Sequence, residues 1–202
     1  MRRLLTILPL AVLCALPSPG WAADRCGDNG TTLDSNRVVR LYTVRVKDTF
    51  DRRVLRACIR ATGKRVVVSE TIGDSQEEFD DWERFRHVRL NGRFVAFEWE
   101  AHYEPWKDDP GDHMLRIVLF DLLKPLQRNY DGNAEGRVLL TAAGGVAWVE
   151  RTGAAYAVRG VRRPGGQPKT LAVGSIDPGS LALRGSVVMW LADGRRHSAS
   201  LR

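Results

Sequence analysis

The chain has 202 residues, 31 of them basic and 24 acidic, for a formal net charge of +7, and 44% are hydrophobic. That length suits one well-cored domain once an N-terminal signal is set aside. Only five basic residues are lysine (Lys47, Lys64, Lys107, Lys124, Lys169), an arginine bias that reads as GC-rich coding and excludes a nucleic-acid signature, while three cysteines without a CxxC exclude a thioredoxin-like centre and a cysteine zinc site.

Residues 1–22 read as a secretory signal peptide. Arg2 and Arg3 form the positive start, "LLTILPLAVLCAL" (4–16) the apolar run, and Gly20 and Ala22 the small residues before a cut at Ala23. The apolar run is shorter than the ~20 residues a membrane span needs, and Pro9 interrupts it. Cleavage removes Cys14, leaving Cys26 and Cys58, which an oxidising compartment joins most simply as one disulfide. The chain then divides into a tethered segment, 23–36, and one β-domain, 37–202.

Strand signals fill that domain. "RVVRLYTVRV" (37–46), "RRVLRACIRA" (52–61) and "KRVVVSE" (64–70) are β-branched runs separated by turn chemistry such as Thr62-Gly63. "DSQEEFDDWERFRHV" (74–88) is the one helix candidate, with Asp74 or Ser75 as N-cap, and it reads equally as an acidic loop. "HVRLNGRFVAFEWEAHY" (87–103) is a hairpin with Asn91-Gly92 as its two-residue type I′ turn. "HMLRIVLFDLL" (113–123), "GRVLLTAAGGVAWVE" (136–150), "GAAYAVRGV" (153–161) and "KTLAVG" (169–174) are further strands and hairpins. The segment 176–201 adds two hairpins, with Pro178-Gly179 suited to a type II turn and Asp193-Gly194 to type I′.

Three of these stretches superpose: "VRLNGRFVAFEW" (88–99), "LLTAAGGVAWVE" (139–150) and "LALRGSVVMWLA" (181–192). Each is a strand, a glycine turn and an apolar strand. With Ala96, Ala147 and Met189 equivalent, the spacings are 51 and 42 residues, the period of β-propeller blades. The chain resembles small secreted bacterial proteins with WD40-like or TolB-type propeller repeats, on an "IDPxSLALxGxxxxW…G…SAxL" pattern running here from Ile176 to Leu201. That resemblance implies a fold and no activity. The fold expected is all-β, with three to four propeller-like blades and the first and last strands sharing one sheet. A two-sheet sandwich, an open propeller or half of a dimeric ring are the alternatives.

On an extended strand, Glu98, Glu100, His102 and Glu104 share one face and Phe97, Trp99, Ala101 and Tyr103 the other. The polar row is either the solvated side of an amphipathic strand or a ligand-binding surface. Asp108, Asp109 and Asp112, beside His113, form an oxygen-rich loop that could hold calcium, although Asp-Pro-Gly-Asp is first a turn. No GxSxG, HExxH, dinucleotide or phosphate-loop motif is present. Residues 74–112 carry twelve acids against five bases and residues 151–202 nine bases against two acids, an asymmetry that can steer an anionic envelope polymer or a protein partner to the basic half. The expectation is an exported, non-catalytic binding or interaction module. A hydrolase of carbohydrate or phosphate esters using Glu98, Glu100 and His102 is the second hypothesis.

Overall fold

The computed structural model describes residues 26–27, 30–47, 52–71, 82–103, 112–124 and 126–202, and within them the chain is all-β apart from one short 3₁₀ turn. Fifteen strands make four antiparallel sheets, each a meander in chain order. The first sheet holds β1 (Thr31–Ser35), β2 (Val39–Val46), β3 (Arg52–Ile59) and β4 (Lys64–Thr71), and the second β5 (Trp82–Asn91), β6 (Phe94–Tyr103), β7 (Asp112–Asp121) and β8 (Leu126–Asp131). The third holds β9 (Leu139–Leu140), β10 (Val146–Thr152), β11 (Ala155–Val161) and β12 (Lys169–Gly174). The last has three strands, β13 (Ala182–Arg184), β14 (Val187–Ala192) and β15 (Arg195–Ser200).

Each sheet buries its faces against its sequence neighbours. Leu41, Leu55 and Val68 meet Val95, Phe97 and Val118 between the first two sheets. Ala96, Ile117 and Leu119 meet Leu140, Val146 and Trp148 between the second and third. Ala147, Val149 and Val158 meet Leu181, Val188 and Trp190 between the third and fourth. A two-faced sheet needs apolar residues at successive positions, and Val95-Ala96-Phe97 and Val146-Ala147-Trp148-Val149 are all buried. Fully burying one large apolar side chain contributes about 1.5–3 kcal/mol, so these interfaces dominate the stability.

The three superposable stretches occupy the first hairpin of the second, third and fourth sheets, and Ala96, Ala147 and Met189 sit on β6, β10 and β14. Cys26 and Cys58 are joined, Cα to Cα 5.7 Å, tying the chain before β1 to β3. A loop of 32 residues closed this way is worth about 3–4 kcal/mol in the chain-entropy model. Among the described residues no helix is long and apolar enough to cross a membrane.

Several expectations need correction. The first and last strands, expected to share a sheet, lie in different ones. β1 falls inside the segment expected to be a tether, and β8 is an additional strand; both are edge strands exposed except at Asp34 and Tyr130, without the apolar alternation that marks a strand in sequence. Residues 82–88 of the helix candidate are strand, paired to β6, and 74–81 lie outside the described residues. Pro178–Ser180 is a 3₁₀ turn rather than a type II turn, because Asp177 accepts the Gly179 N–H at 2.9 Å and starts it. Asp193-Gly194 has φ of 51° and 70°, as type I′ requires.

Candidate functional site

The first hairpin of the second sheet sets the site. Its turn lies one residue later than the Asn91-Gly92 signal suggests: Asn91 pairs Phe94, and Gly92, at φ 58°, is the first of two turn residues. Counting from that turn, Glu98 would face His87 and Glu100 would face Phe85. A β-bulge intervenes. His87 and Val88 together oppose Phe97, so beyond it Arg86 pairs Glu98, Arg84 pairs Glu100 and Trp82 pairs His102. One extra residue thus converts a mismatched face into a ladder of opposite charges.

The acidic side of that ladder is buried, while its arginines reach solvent. Glu98 is 0% exposed and Glu100 4%, which overturns the solvated-face reading. The face they share with Ala96 looks toward the third sheet, and the segment after β8 covers it: Glu98 Oε1 accepts the Ala134 N–H at 2.7 Å. Arg84 donates to Glu100 Oε2 through Nε, and Arg86 Nη1 reaches the same oxygen at 3.3 Å. The Arg84 guanidinium lies 4.5 Å from the centre of the Trp82 ring, which stacks on His102 at 5.9 Å. Cation–π contact and two-point ion pairing together hold the arginines against the sheet.

Glu98 Oε2 has a different setting. It lies 3.6 Å from Arg86 Nε and 3.5 Å from His87 Nε2, and both Oε2 and Nε2 are buried without a hydrogen-bond partner among the described residues. Burial pushes the Glu98 carboxyl above its ordinary range, against the opposing pull of the Ala134 N–H and Arg86. Burial, reinforced by Arg86 and Arg89, pushes His87 below its ordinary value. His87 carries φ of 53°, a left-handed backbone that costs a side-chain-bearing residue about 1–2 kcal/mol. The bulge therefore holds the imidazole of a residue with a strained backbone 3.5 Å from a wholly buried carboxyl group.

His87 also faces outward. With Val88 and Arg89 it lines a cleft of about 740 Å³ between the second sheet and the first, whose wall includes Thr31, Leu33, Thr43, Arg45 and Arg53. Three arginines and one histidine line this space, with no carboxylate side chain among the described residues of its wall. Asp34, next in sequence to the lining residue Leu33, accepts the Leu90 N–H at 3.2 Å.

Of the residues singled out in sequence, the structure joins Glu98, Glu100 and His102 on one face of β6. Glu104, Asp108, Asp109 and the side chain of Asp112 lie outside the described residues, though Asp112 opens β7 opposite Tyr103. Among the described residues no three His, Cys, Asp or Glu side chains group as a metal would require. Arg84, Arg86, Arg89 and His87 escaped sequence reading because their partnership depends on the bulge; the one available trace was "ERFRH", with basic residues alternating just before the turn. The chain matches no protein-family model, no curated protein and no solved structure.

Proposed function

We propose that the chain is an exported, non-catalytic binding module built from four propeller-like blades, and that the cleft between its first two sheets takes an anionic ligand of the cell envelope. The observation that carries this reading is the wall of that cleft, where Arg53, Arg89 and His87 stand together and Arg45 adds a further guanidinium. Guanidinium forks suit carboxylate and phosphate groups, and an electropositive concavity raises the local concentration of anions.

The blade reading rests on the register between sheets. Asn36, after β1, donates to the Gly92 carbonyl after β5 at 3.0 Å, and Asn91 at the end of β5 donates to the Leu140 carbonyl at the end of β9 at 2.9 Å. The first strands of three successive sheets therefore end at one level, as inner strands of blades do. The fourth blade has one strand fewer than the others. Export rests on the signal-like N-terminus and on the disulfide, which oxidising compartments favour.

The hydrolase hypothesis fares worse on this geometry. Glu100 is engaged by two arginines and Glu98 by a backbone N–H, and neither faces the other across an open groove as paired glycosidase carboxylates do. The test is a calorimetric titration of the mature protein with polyphosphate, polyglutamate and a neutral glucan. The anionic polymers bind and the glucan does not, affinity falls with salt, and Arg53→Gln with Arg89→Gln weakens binding about tenfold, since charge-assisted hydrogen bonds are the strong ones. Equal binding of the neutral glucan, or a double variant indistinguishable from wild type, defeats the proposal.

A further inference from the structure

A second concavity lies between the third and fourth sheets. It encloses about 730 Å³ and is formed by the β9–β10 turn (Thr141, Ala142, Ala143), the start of the β11–β12 loop (Arg162, Arg163), the β13–β14 turn (Gly185, Ser186) and the residues after β15 (Leu201, Arg202). We infer that this cleft is a separate binding site for a phosphate-bearing small molecule, held by Arg162, Arg163 and Arg202.

Charge sets the ligand class. Three guanidinium groups surround the space, and among the described residues no Asp or Glu side chain lines it and none pairs with the three. The adjacent Arg162 and Arg163, with the Arg202 guanidinium across the space, favour a group carrying two or more negative charges, such as a phosphate monoester or diphosphate, over a single carboxylate. Neutral donors add to them. Thr141 is almost wholly buried, and its Oγ1 already accepts the Gly145 N–H at 2.7 Å, so its own proton points elsewhere. Arg202 Nε donates to Ser186 Oγ at 2.8 Å, which holds that side chain at the rim and leaves its terminal nitrogens for a ligand. Ala142, Ala143 and Leu201 form the apolar part of the wall, and the volume matches that of ordinary small-molecule sites.

This cleft and the one beside His87 open at opposite ends. The second is built from the turns that follow the first strands β9 and β13, whereas Arg45 and Arg53 flank the connection between β2 and β3, at the other end of a meander. The second site therefore stands or falls independently of the function proposed above.

The experiment is a heteronuclear NMR titration of the mature, oxidised protein with inorganic pyrophosphate, with acetate as a monoanionic control and glycerol 3-phosphate as a monoester. Pyrophosphate and glycerol 3-phosphate shift the amides of Gly145, Gly185 and Ser186 with saturation, and acetate at equal concentration leaves them in place. Arg162→Gln with Arg163→Gln lowers the affinity read at these amides about tenfold; both side chains are exposed, so an unchanged melting temperature certifies the fold. Arg53→Gln with Arg89→Gln leaves the response at these three amides intact. The inference is overturned if acetate is as effective, if shifts spread evenly over exposed arginines such as Arg195 and Arg196, or if the Arg162/Arg163 variant titrates like wild type. A failure confined to these amides leaves the first cleft's role standing, and a failure confined to the first cleft leaves this site standing.

Discussion

The same structural position is filled in three ways in three sheets. With Ala96, Ala147 and Met189 aligned, Glu98 of β6 corresponds to Val149 of β10 and Leu191 of β14. Val149 is wholly buried in the apolar layer between the third and fourth sheets. Leu191, on the last sheet, is 37% exposed because no further sheet covers it among the described residues. Glu98 is as buried as Val149 yet ionisable, and it is accommodated only because a backbone N–H, Arg86 and His87 surround it. One position of a repeat can thus be apolar core, surface or buried carboxyl, according to what the neighbouring sheet and the bulge bring to it.

Truncating the three residues ranks these environments. Glu98→Ala leaves the buried Ala134 N–H without its acceptor and opens a cavity beside Arg86, which keeps Glu100, so it costs about 2–4 kcal/mol in urea unfolding. Val149→Ala removes two methyl groups from a close-packed layer and costs about 2 kcal/mol. Leu191→Ala costs less than about 0.5 kcal/mol, as substitutions at open surface positions do. A Glu98→Ala cost no larger than that of Leu191→Ala would show that the carboxylate is solvated after all.

The pH dependence sharpens the contrast, with a smaller effect. The Glu98 carboxyl is raised, so the folded chain holds its proton more tightly than the unfolded chain. That contribution is complete at low pH and is lost as pH rises from the ordinary value near 4.5 through the raised one. His87 is lowered, so the folded chain resists its protonation, and stability falls as pH drops from 6.5 toward the lowered value. Melting temperatures across pH 3–8 check both signs. Glu98→Gln flattens the loss that begins above 4.5, and His87→Gln flattens the loss below 6.5. Should His87→Gln instead remove a gain in stability below 6.5, the two groups form an imidazolium–carboxylate pair in the folded state.

The smallest effect concerns the bulge itself. His87→Gly relieves the left-handed backbone by about 1 kcal/mol while deleting the imidazole and adding unfolded-state freedom of similar size. The net change in stability is therefore within about 0.5 kcal/mol of zero. Circular dichroism with chemical unfolding checks it, and a large loss would show that the ring supports the fold.

Much of this architecture was legible before any coordinates. Alternating and continuous apolar runs such as Val95-Ala96-Phe97 encode strands, glycine turns encode hairpins, and their recurrence after 51 and 42 residues encodes a series of small sheets. Two cysteines in a chain that begins like an exported one encode a bridge. The edge strands β1 and β8 were illegible because nearly all their residues face water, Tyr130 being the buried exception, and so carry no apolar code.

The sequence by itself determined an all-β chain of repeated antiparallel hairpins with a Cys26–Cys58 bridge, because period-two patterning, turn chemistry and thiol count are local properties. Tertiary structure alone decided which charges meet. A turn displaced by one residue and a bulge at His87-Val88 reset the register of β5, and since a one-residue shift exchanges the faces of a strand, only that adjustment sets Arg84 and Arg86 opposite Glu100 and Glu98. The two arginine-lined clefts likewise arise from segments far apart in the chain, and no local pattern announces them.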